Sequence, residues 1–497
     1  MWLSALLLGL LSSFGYDYAL LARPRHGWQR PSAALCLHCG TWLLSVGLVL
    51  LLCQRVWFAV VLLSAGQLLL LLVHHAKHAS LKEVFIFQDF DYFTDAIKHP
   101  RLYLPFFGIS RAILATLAFI AAIALGMWLE TPLPTAHLFM SGAALLLAGY
   151  GLIKWGLKTP PALTYNPEED LRALGQLAFF WYYWQAQATP RPDLHSQDLS
   201  QAAANAPANA PHIIAVQSES FFDARQLSPN IHPKVLAEFD LTQKNALQYG
   251  SLDVPAWGAN TVRTEAAFLT GLSPEQLGVH RFNPYRLFTK QTVLNLAAIF
   301  KQRGYRTVCI HPYPASFYDR ASVFPRLGFD EFIDVQAFVK TNAADIFVSD
   351  KAVADKVQAL LAAQDPTQAL FIFVITMENH GPLHLERPAP QDNARFYQNP
   401  PPASWQDLTV YLKHLANADA MLAQLKTTLS AADRAGLLCW YGDHVPIMAD
   451  VYATLGEPSG QSQYLLWHSQ TNAPQENCQP LAAHQLGSVL LAHCNQN

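Results

Sequence analysis

The stretch 257–271, WGANTVRTEAAFLTG, sets an asparagine, a threonine and an arginine just ahead of an apolar run that reads as the opening turns of a helix. A helix beginning after Asn260 points the positive end of its dipole at whatever lies before it, which favours an anionic phosphate and a partly ionised Thr261 hydroxyl. The same letters also admit a plain structural reading, with Asn260–Thr261 as an N-cap and Arg263 as a solvated charge. The surrounding pattern decides the fold. From His212 onward, short apolar segments alternate with helical ones: IIAV (213–216), then KVLAEFDLTQKNAL (234–247); the run 262–272; LNLAAIFKQRG (294–304), then TVCI (307–310); DKVQALLAAQ (355–364), then ALFIFVIT (369–376); a long helix through 404–429, then GLLCWY (436–441). Strands separated by helices predict an α/β sandwich with a mainly parallel central sheet. In such sheets chemistry gathers outside the carboxyl ends of the strands.

Residues of liganding type collect at those ends. IIAVQSES reaches Glu219, TVCI reaches His311, FIFVITMENH reaches His380, and LLCWYGDH reaches Asp443 and His444. Any one of them alone is an ordinary loop hydrogen-bonder. Delivered together to one sheet edge, they are the oxygen and nitrogen donors of a metal site. Asp350, in FVSDK, reads as the cap of a helix over 351–363, and Glu378 as facing away from the strand end that carries His380.

The rest of the chain is of another kind. Of the 497 residues, 52% are apolar and only 14% charged, and the apolar excess is confined to the first third. Five stretches there, about 1–22, 34–53, 56–74, 105–129 and 135–157, are each long enough to span a bilayer. The first lacks a basic leader and a small-residue cleavage site, so it reads as a retained helix. Between the third and fourth, residues 82–108 mix aromatics, acids and bases in the manner of an interfacial segment. A helix opened by Asn166 runs to about 187 with an aromatic face, WYYW (181–184), suited to a membrane surface. The Ala/Pro/Asn-rich stretch 188–211 is a linker. The expected organisation is a transmembrane domain of about five helices (1–158), an interfacial helix and linker (159–208), and a catalytic domain (209–497).

Net charge is −3 with no Lys/Arg block, which gives no footprint for nucleic acid. The seven cysteines fall in no metal-binding spacing. Cys36 and Cys39 lie inside an apolar segment, and Cys478 and Cys494, on either side of the last helix, pair only in an oxidising compartment.

Six segments, ESFFD (219–223), WGANTVRTEAAFLTG, HPYPASFYDR (311–320), PRLGFDEFID (325–334), TMENHGPL (376–383) and YGDHVP (441–446), together resemble the lipoteichoic acid synthase-like, phosphoglycerol transferase branch of the alkaline phosphatase/sulfatase superfamily. The likeness covers roughly 209–497, and the amino-terminal spans with their KHPRLYLPFFG loop (98–108) are similar too. The resemblance implies that Thr261 is the nucleophile and that one divalent metal is held by Glu219, Thr261, Asp443 and His444. It implies that His311 and His380 contact phosphate oxygens or handle protons, and that Tyr318 and Arg320 meet a glycerol-phosphate head group. Arg263, just beyond the nucleophile, is a further candidate for substrate contact. The chain departs from the family in having Ala266 where an aromatic usually follows the Thr-Glu pair, and Tyr318 where tryptophan is common.

A threonine hydroxyl is a poor nucleophile at neutral pH and needs a metal ion to favour its alkoxide. A second metal site would need further carboxylates beside His311 and His380, and no clear Asp sits in either motif, so one ion is expected. Oxygen and imidazole donors without thiolate suit manganese first, with zinc or magnesium as alternatives. The leading expectation is a transferase in a bacterial-type plasma (inner) membrane, moving phosphoglycerol from a phospholipid donor to a cell-surface glycan or lipid acceptor. Phosphoethanolamine transfer is the neighbouring alternative. Sulfate-ester hydrolysis needs a Cys or Ser in C/S-x-P-x-R, which TVRTE does not provide. An inactive membrane scaffold is the alternative of another class. Sidedness is in conflict: Arg23, Arg25, Arg30, Lys77 and Lys82 follow the first and third spans and would put the catalytic domain in the cytoplasm, whereas the resemblance puts it outside.

Overall fold

The computed structural model describes residues 2–91, 109–189, 191, 194–203, 210–339, 346–470 and 477–496. The chain divides into two compact units, Met1–Pro190 and Arg191–Asn497.

In the first unit, helices Trp2–Tyr18, Ser32–Cys53, Val56–Leu81, Ile109–Leu129 and Thr135–Lys158 occupy the five apolar stretches. Among the described residues Ser32–Cys53, Val56–Leu81 and Thr135–Lys158 are long and apolar enough to cross a membrane. Large apolar side chains such as Leu52, Leu114 and Leu147 stand exposed on these helices, an arrangement that is stable against lipid and costly against water. Two polar clusters tie the helix ends. At one end Glu130 accepts hydrogen bonds from the amides of Val56 (2.9 Å), Trp57 (3.1 Å) and Phe58 (2.8 Å), placing a carboxylate on the amino terminus of the third helix. At the other end Arg30 donates to Asp17 (2.6 Å) and Lys77 to Asp89 (2.8 Å).

The helix expected over 166–187 is two helices, Pro167–Leu174 and Gln176–Ala188. The cause is Gly175, whose φ of +78° turns the chain against the Arg30 guanidinium, where a Cβ would lie 2.0 Å from Nη1. The turn also brings the Gln176 amide within 3.3 Å of Asp17 Oδ1. Asn166 does cap the first of the two, accepting from Glu168 N at 3.2 Å. Of the interfacial segment 82–108, residues 87–91 form a short 3-10 turn; 92–108 lie outside the described residues. The stretch read as a linker contains a helix, Gln197–Ala203, because Leu199 is fully buried in the second unit.

The second unit is built on one sheet of eight strands: β1 (His212–Ser218), β2 (Gln248–Asp253), β3 (Arg306–Ile310), β4 (Glu331–Ile333), β5 (Leu370–Ile375), β6 (Gly436–Gly442), β7 (Ser462–His468) and β8 (Leu481–Ala482). Their order is β4-β3-β5-β1-β6-β7-β2-β8. From β4 to β6 every neighbour is parallel; β7 runs antiparallel to both β6 and β2. Alternate residues of β1 serve opposite layers. Ile214 and Val216 face a core closed by the helix Gln406–Ser430, and Ile213 and Ala215 face one closed by helices Thr261–Thr270 and Ala483–Gln496. Strands buried on both faces explain why IIAV and LFIFVI are unbroken apolar runs. The mainly parallel α/β architecture read from the sequence is present.

Register fixes the site. Ser218 of β1 lies opposite Gly442 of β6, Gln217 opposite Ile375 of β5, and Ile310 of β3 opposite Val374 of β5. The residues that follow, Glu219, Asp443, Thr376 and His311, therefore leave the sheet at one edge.

Candidate active site

Glu219, Asp443 and His444 converge at that edge, each buried, with one ligand atom apiece all within 4.8 Å of one another. His444 Nε2 is 3.3 Å from Asp443 Oδ2 and 3.6 Å from Glu219 Oε1. The other ring nitrogen, Nδ1, lies 3.0 Å from the Val445 carbonyl, so it carries the proton and leaves the Nε2 lone pair facing the carboxylates. Ser220 orients both carboxylates. The Ser220 amide donates to Asp443 Oδ1 (2.8 Å), and the Ser220 hydroxyl donates to Glu219 Oε1 (2.9 Å). The Glu219 amide donates to Thr376 Oγ1 (2.9 Å). Ser220 sits at φ +51°, and a residue held in that region beside two ligand-type carboxylates is a local strain imposed by its surroundings.

Glu219 Oε2 and Asp443 Oδ2 are buried without a hydrogen-bond partner among the described residues. Burial, and after it the Asp443 charge, push the Glu219 carboxyl up to about 8. Two orphaned carboxylate oxygens and an inward imidazole lone pair are costly by themselves and fit one divalent cation. No thiolate belongs to the set.

Thr261 is the first residue of helix Thr261–Thr270. The preceding Asn260 is left-handed (φ +68°) and makes no side-chain cap, so the plain N-cap reading does not hold. One turn on, Thr264 donates to the Asp443 carbonyl at 2.8 Å, which ties the first turn of this helix to the strand end bearing the cluster.

The two strand-end histidines follow β3 and β5 at the same edge of the sheet, close enough for the His380 charge to act on His311 and the Asp443 charge on His380. His311 Nδ1 donates to the Ile375 carbonyl (3.1 Å), leaving Nε2 buried and unpartnered among the described residues. Burial, with the Arg320 charge behind it, holds this ring well below the ordinary histidine range, so it is neutral. His380 Nδ1 donates to the Gly381 carbonyl (2.6 Å), and burial lowers this ring too, against an upward pull from Asp443. Arg320 is fully buried and ion-paired with Glu265, its guanidinium 5.2 Å from the Tyr318 ring centroid. Arg263 is buried; its Nε donates to the Phe282 carbonyl (3.4 Å) and its guanidinium lies 5.4 Å from the Phe282 ring centroid.

Sequence reasoning missed the residues that hold the others. Ser220, Thr376 and Thr264 have no pattern to betray them. Glu265 had one, a carboxylate inside an otherwise apolar helical run. Asp350 is not a cap: Ser349 accepts from Ala352 N, and the Asp350 amide donates to Glu378 Oε2 (2.6 Å). Glu378 thus turns inward, its other oxygen taking a 2.6 Å bond from Asn417. Cys478 and Cys494 are both free thiols, the first exposed and the second buried.

Residues 211–495, more than half of the chain, match the family model for sulfatases. The chain belongs to the sulfatase family. This places it in the alkaline phosphatase superfamily. It is similar to the capsular polysaccharide biosynthesis protein RkpI of Rhizobium meliloti, 29% identical over 399 residues that cover 76% of this chain and 71% of that one. It is also similar to a putative cyclic beta-1,2-glucan modification protein of the same organism, 29% identical over 251 residues, half of this chain and 38% of the relative. Among solved structures, the integral membrane lipooligosaccharide phosphoethanolamine transferase A (EptA) of Neisseria meningitidis shares the fold over 99% of this chain and 95% of its own, with a TM-score of 0.57 at 14% identity. This sulfatase-family chain is a membrane-anchored enzyme of its superfamily, with a buried acidic and histidine cluster that is a candidate metal site.

Proposed function

We propose that the protein is a metal-dependent transferase that moves a phosphoglycerol-type head group from a phospholipid to a cell-envelope glycan or lipid through a phosphothreonine intermediate. The observation that carries this reading is the buried Glu219–Asp443–His444 cluster with its orphaned oxygens, tied by Thr264 to the helix that Thr261 begins. In this reading Thr261 completes the ligand set. Manganese is the expected ion, with zinc or magnesium as the alternatives; when bound, it favours the ionised threonine and offsets charge on the phosphoryl oxygens.

The chain's own residues supply the rest. Thr261 Oγ forms a bond to phosphorus as the bond to the diacylglycerol oxygen breaks, and an acceptor hydroxyl then displaces Thr261. The neutral His311, its Nδ1 spent on the Ile375 carbonyl, presents Nε2 as an acceptor for a substrate hydroxyl. His380 exchanges the proton of the leaving and entering hydroxyls, and Arg320 binds a phosphoryl or head-group oxygen beside Tyr318. Apolar spans in the same chain suit a donor that resides in the bilayer. The names of the two Rhizobium relatives favour a glycan acceptor, and the catalytic unit would lie on the extracytoplasmic face.

A second reading, phosphoethanolamine transfer, is favoured by the full-length likeness to EptA. Incubating membranes with phosphatidylglycerol or phosphatidylethanolamine labelled in the head group separates the two by which label reaches the acceptor. Movement of neither label, with the metal-loaded protein intact, refutes both.

A further inference from the structure

Glu265 lies one turn beyond Thr261 on the same helix, is completely buried, and has no part in the transfer described above. Its two oxygens are fully engaged. Arg320 Nη2 donates to Oε1, and both Arg320 Nε (3.4 Å) and the Tyr285 hydroxyl donate to Oε2. The guanidinium is thereby fixed in plane by a forked contact with a carboxylate that is itself pinned from a third side. Arg320 opens the helix Arg320–Leu327 directly after two left-handed residues, Tyr318 (φ +55°) and Asp319 (φ +54°). Neither conformation is favourable for these side chains, so the surroundings hold the turn, and the buried Arg320–Glu265 ion pair is one of its ties, beside the Ser322 hydroxyl on Asp319. One amino group is left over: Arg320 Nη1 is buried and has no partner among the described residues. His311 Nε2 is in the same condition, and its ring feels the Arg320 charge.

We infer that Glu265 is a positioning residue for the transfer reaction: it consumes two faces of the Arg320 guanidinium and aims the third, Nη1, at an oxygen of the transferred phosphoryl group. The inference rests on the proposed transferase reading for the identity of that group. The anion-binding part stands without it. Because Glu265 neutralises Arg320 in the resting protein, the subsite is an oriented single donor and not a strong anion trap. Loss of Glu265 leaves the positive charge in place and removes its aim.

The test uses the full-length, manganese-loaded protein in detergent, with inorganic phosphate as the binding probe and head-group transfer as the rate. Arg320→Ala is expected to weaken phosphate binding and lower kcat/KM by about 100-fold. Glu265→Gln is expected to lower both by about tenfold, chiefly through kcat for the rate, with Glu265→Asp recovering part of the loss. The double variant should be no worse than Arg320→Ala alone, since Glu265 acts only through Arg320. Multiplying losses, or unchanged phosphate affinity in Glu265→Gln, overturn the inference. Should Glu265→Gln fail to fold, Tyr285→Phe loosens the same carboxylate and is expected to weaken phosphate binding about threefold, but only while Arg320 is present; no change there also overturns it. A wild-type protein that binds phosphate through this coupled pair yet moves no head group would instead sink the transferase reading and leave the positioning role intact.

Discussion

Gly442→Ala tests whether the metal cluster is held rigidly by the sheet. Gly442 closes β6 opposite Ser218 of β1 and immediately precedes Asp443. A Cβ placed on it would lie 2.0 Å from the Phe221 carbonyl oxygen, 2.9 Å from its carbon and 3.0 Å from Ser462 Cβ, whereas ordinary contact begins near 3.4 Å. The Phe221 peptide would have to retreat by more than an ångström, and it is not free to do so. Tyr411 OH donates to the Ser220 carbonyl (2.7 Å) and accepts from the Phe222 amide (3.0 Å), clamping both neighbours. The displacement falls on the two segments that carry Glu219 and Asp443. Overpacking of this kind costs about 1–3 kcal/mol, or roughly 2–12 °C in the melting of a unit this size. A ligand moved by about 1 Å costs on the order of 100-fold in rate, and metal affinity should fall about 10- to 100-fold. Thermal denaturation with and without manganese, alongside metal titration, reads both effects. A variant with wild-type melting and wild-type metal affinity would refute the argument, because the 219–223 segment would then yield freely and could not be what orients the carboxylates.

Thr261→Ala should lower head-group transfer by about 10³-fold or more while leaving the melting of the metal-free protein near wild type; labelled donor should also cease to mark the protein itself, and a variant retaining transfer removes Thr261 as nucleophile. Stripping the cation with a chelator should lower the melting temperature, since an ion present at about 100 times its dissociation constant contributes roughly 2.7 kcal/mol; melting that ignores both chelator and added manganese argues for a scaffold. His212 gives an acid dependence of known sign. Its Nδ1 accepts from the Leu370 amide at 3.1 Å, joining β1 to β5, and burial, then the Arg434 charge, lower it from 6.5 to about 4. A histidine whose folded value is depressed contributes stability in full above its unfolded value and loses it as pH falls from about 6.5 towards 4, at most about 3 kcal/mol here. The gap in melting between wild type and His212→Gln should therefore narrow from pH 7 to pH 4.5; a constant gap would show that this ring does not titrate with unfolding.

The central strands were legible because burial on both faces leaves them no alternative to an unbroken apolar run, as in LFIFVI of β5. The half-covered side of the sheet was not. QYGSLD of β2 alternates buried positions with half-buried or exposed ones and follows a short helix, Ala237–Gln243, so the helical reading of 234–247 ran up to the start of a strand that propensity alone does not announce. At the site, donor types at strand ends were enough to name Glu219, Asp443 and His444. What immobilises them was out of reach, since each tie joins residues distant in the chain: Ser220 to Asp443, Glu219 to Thr376, Glu265 to Arg320. Composition and periodicity report on local burial, and long-range pairings of polar groups leave no periodic trace.

The same difference bears on the charge rule. The basic residues that count against an extracytoplasmic catalytic unit are Arg23, Arg25, Arg30, Lys77 and Lys82. Arg30 has no exposed side chain and is bound to Asp17, the acid that also receives the Gln176 amide at the Gly175 break. Lys77 is nearly buried between Asp89 and Glu83 and donates as well to the Val84 carbonyl. Both are required where they stand by the packing of the first unit, whatever side of the membrane that end occupies. A rule that reads orientation from basic residues assumes they are placed to interact with the membrane and its insertion machinery. Removing the two whose placement the fold already explains leaves three, and the case for a cytoplasmic catalytic unit rests on them alone.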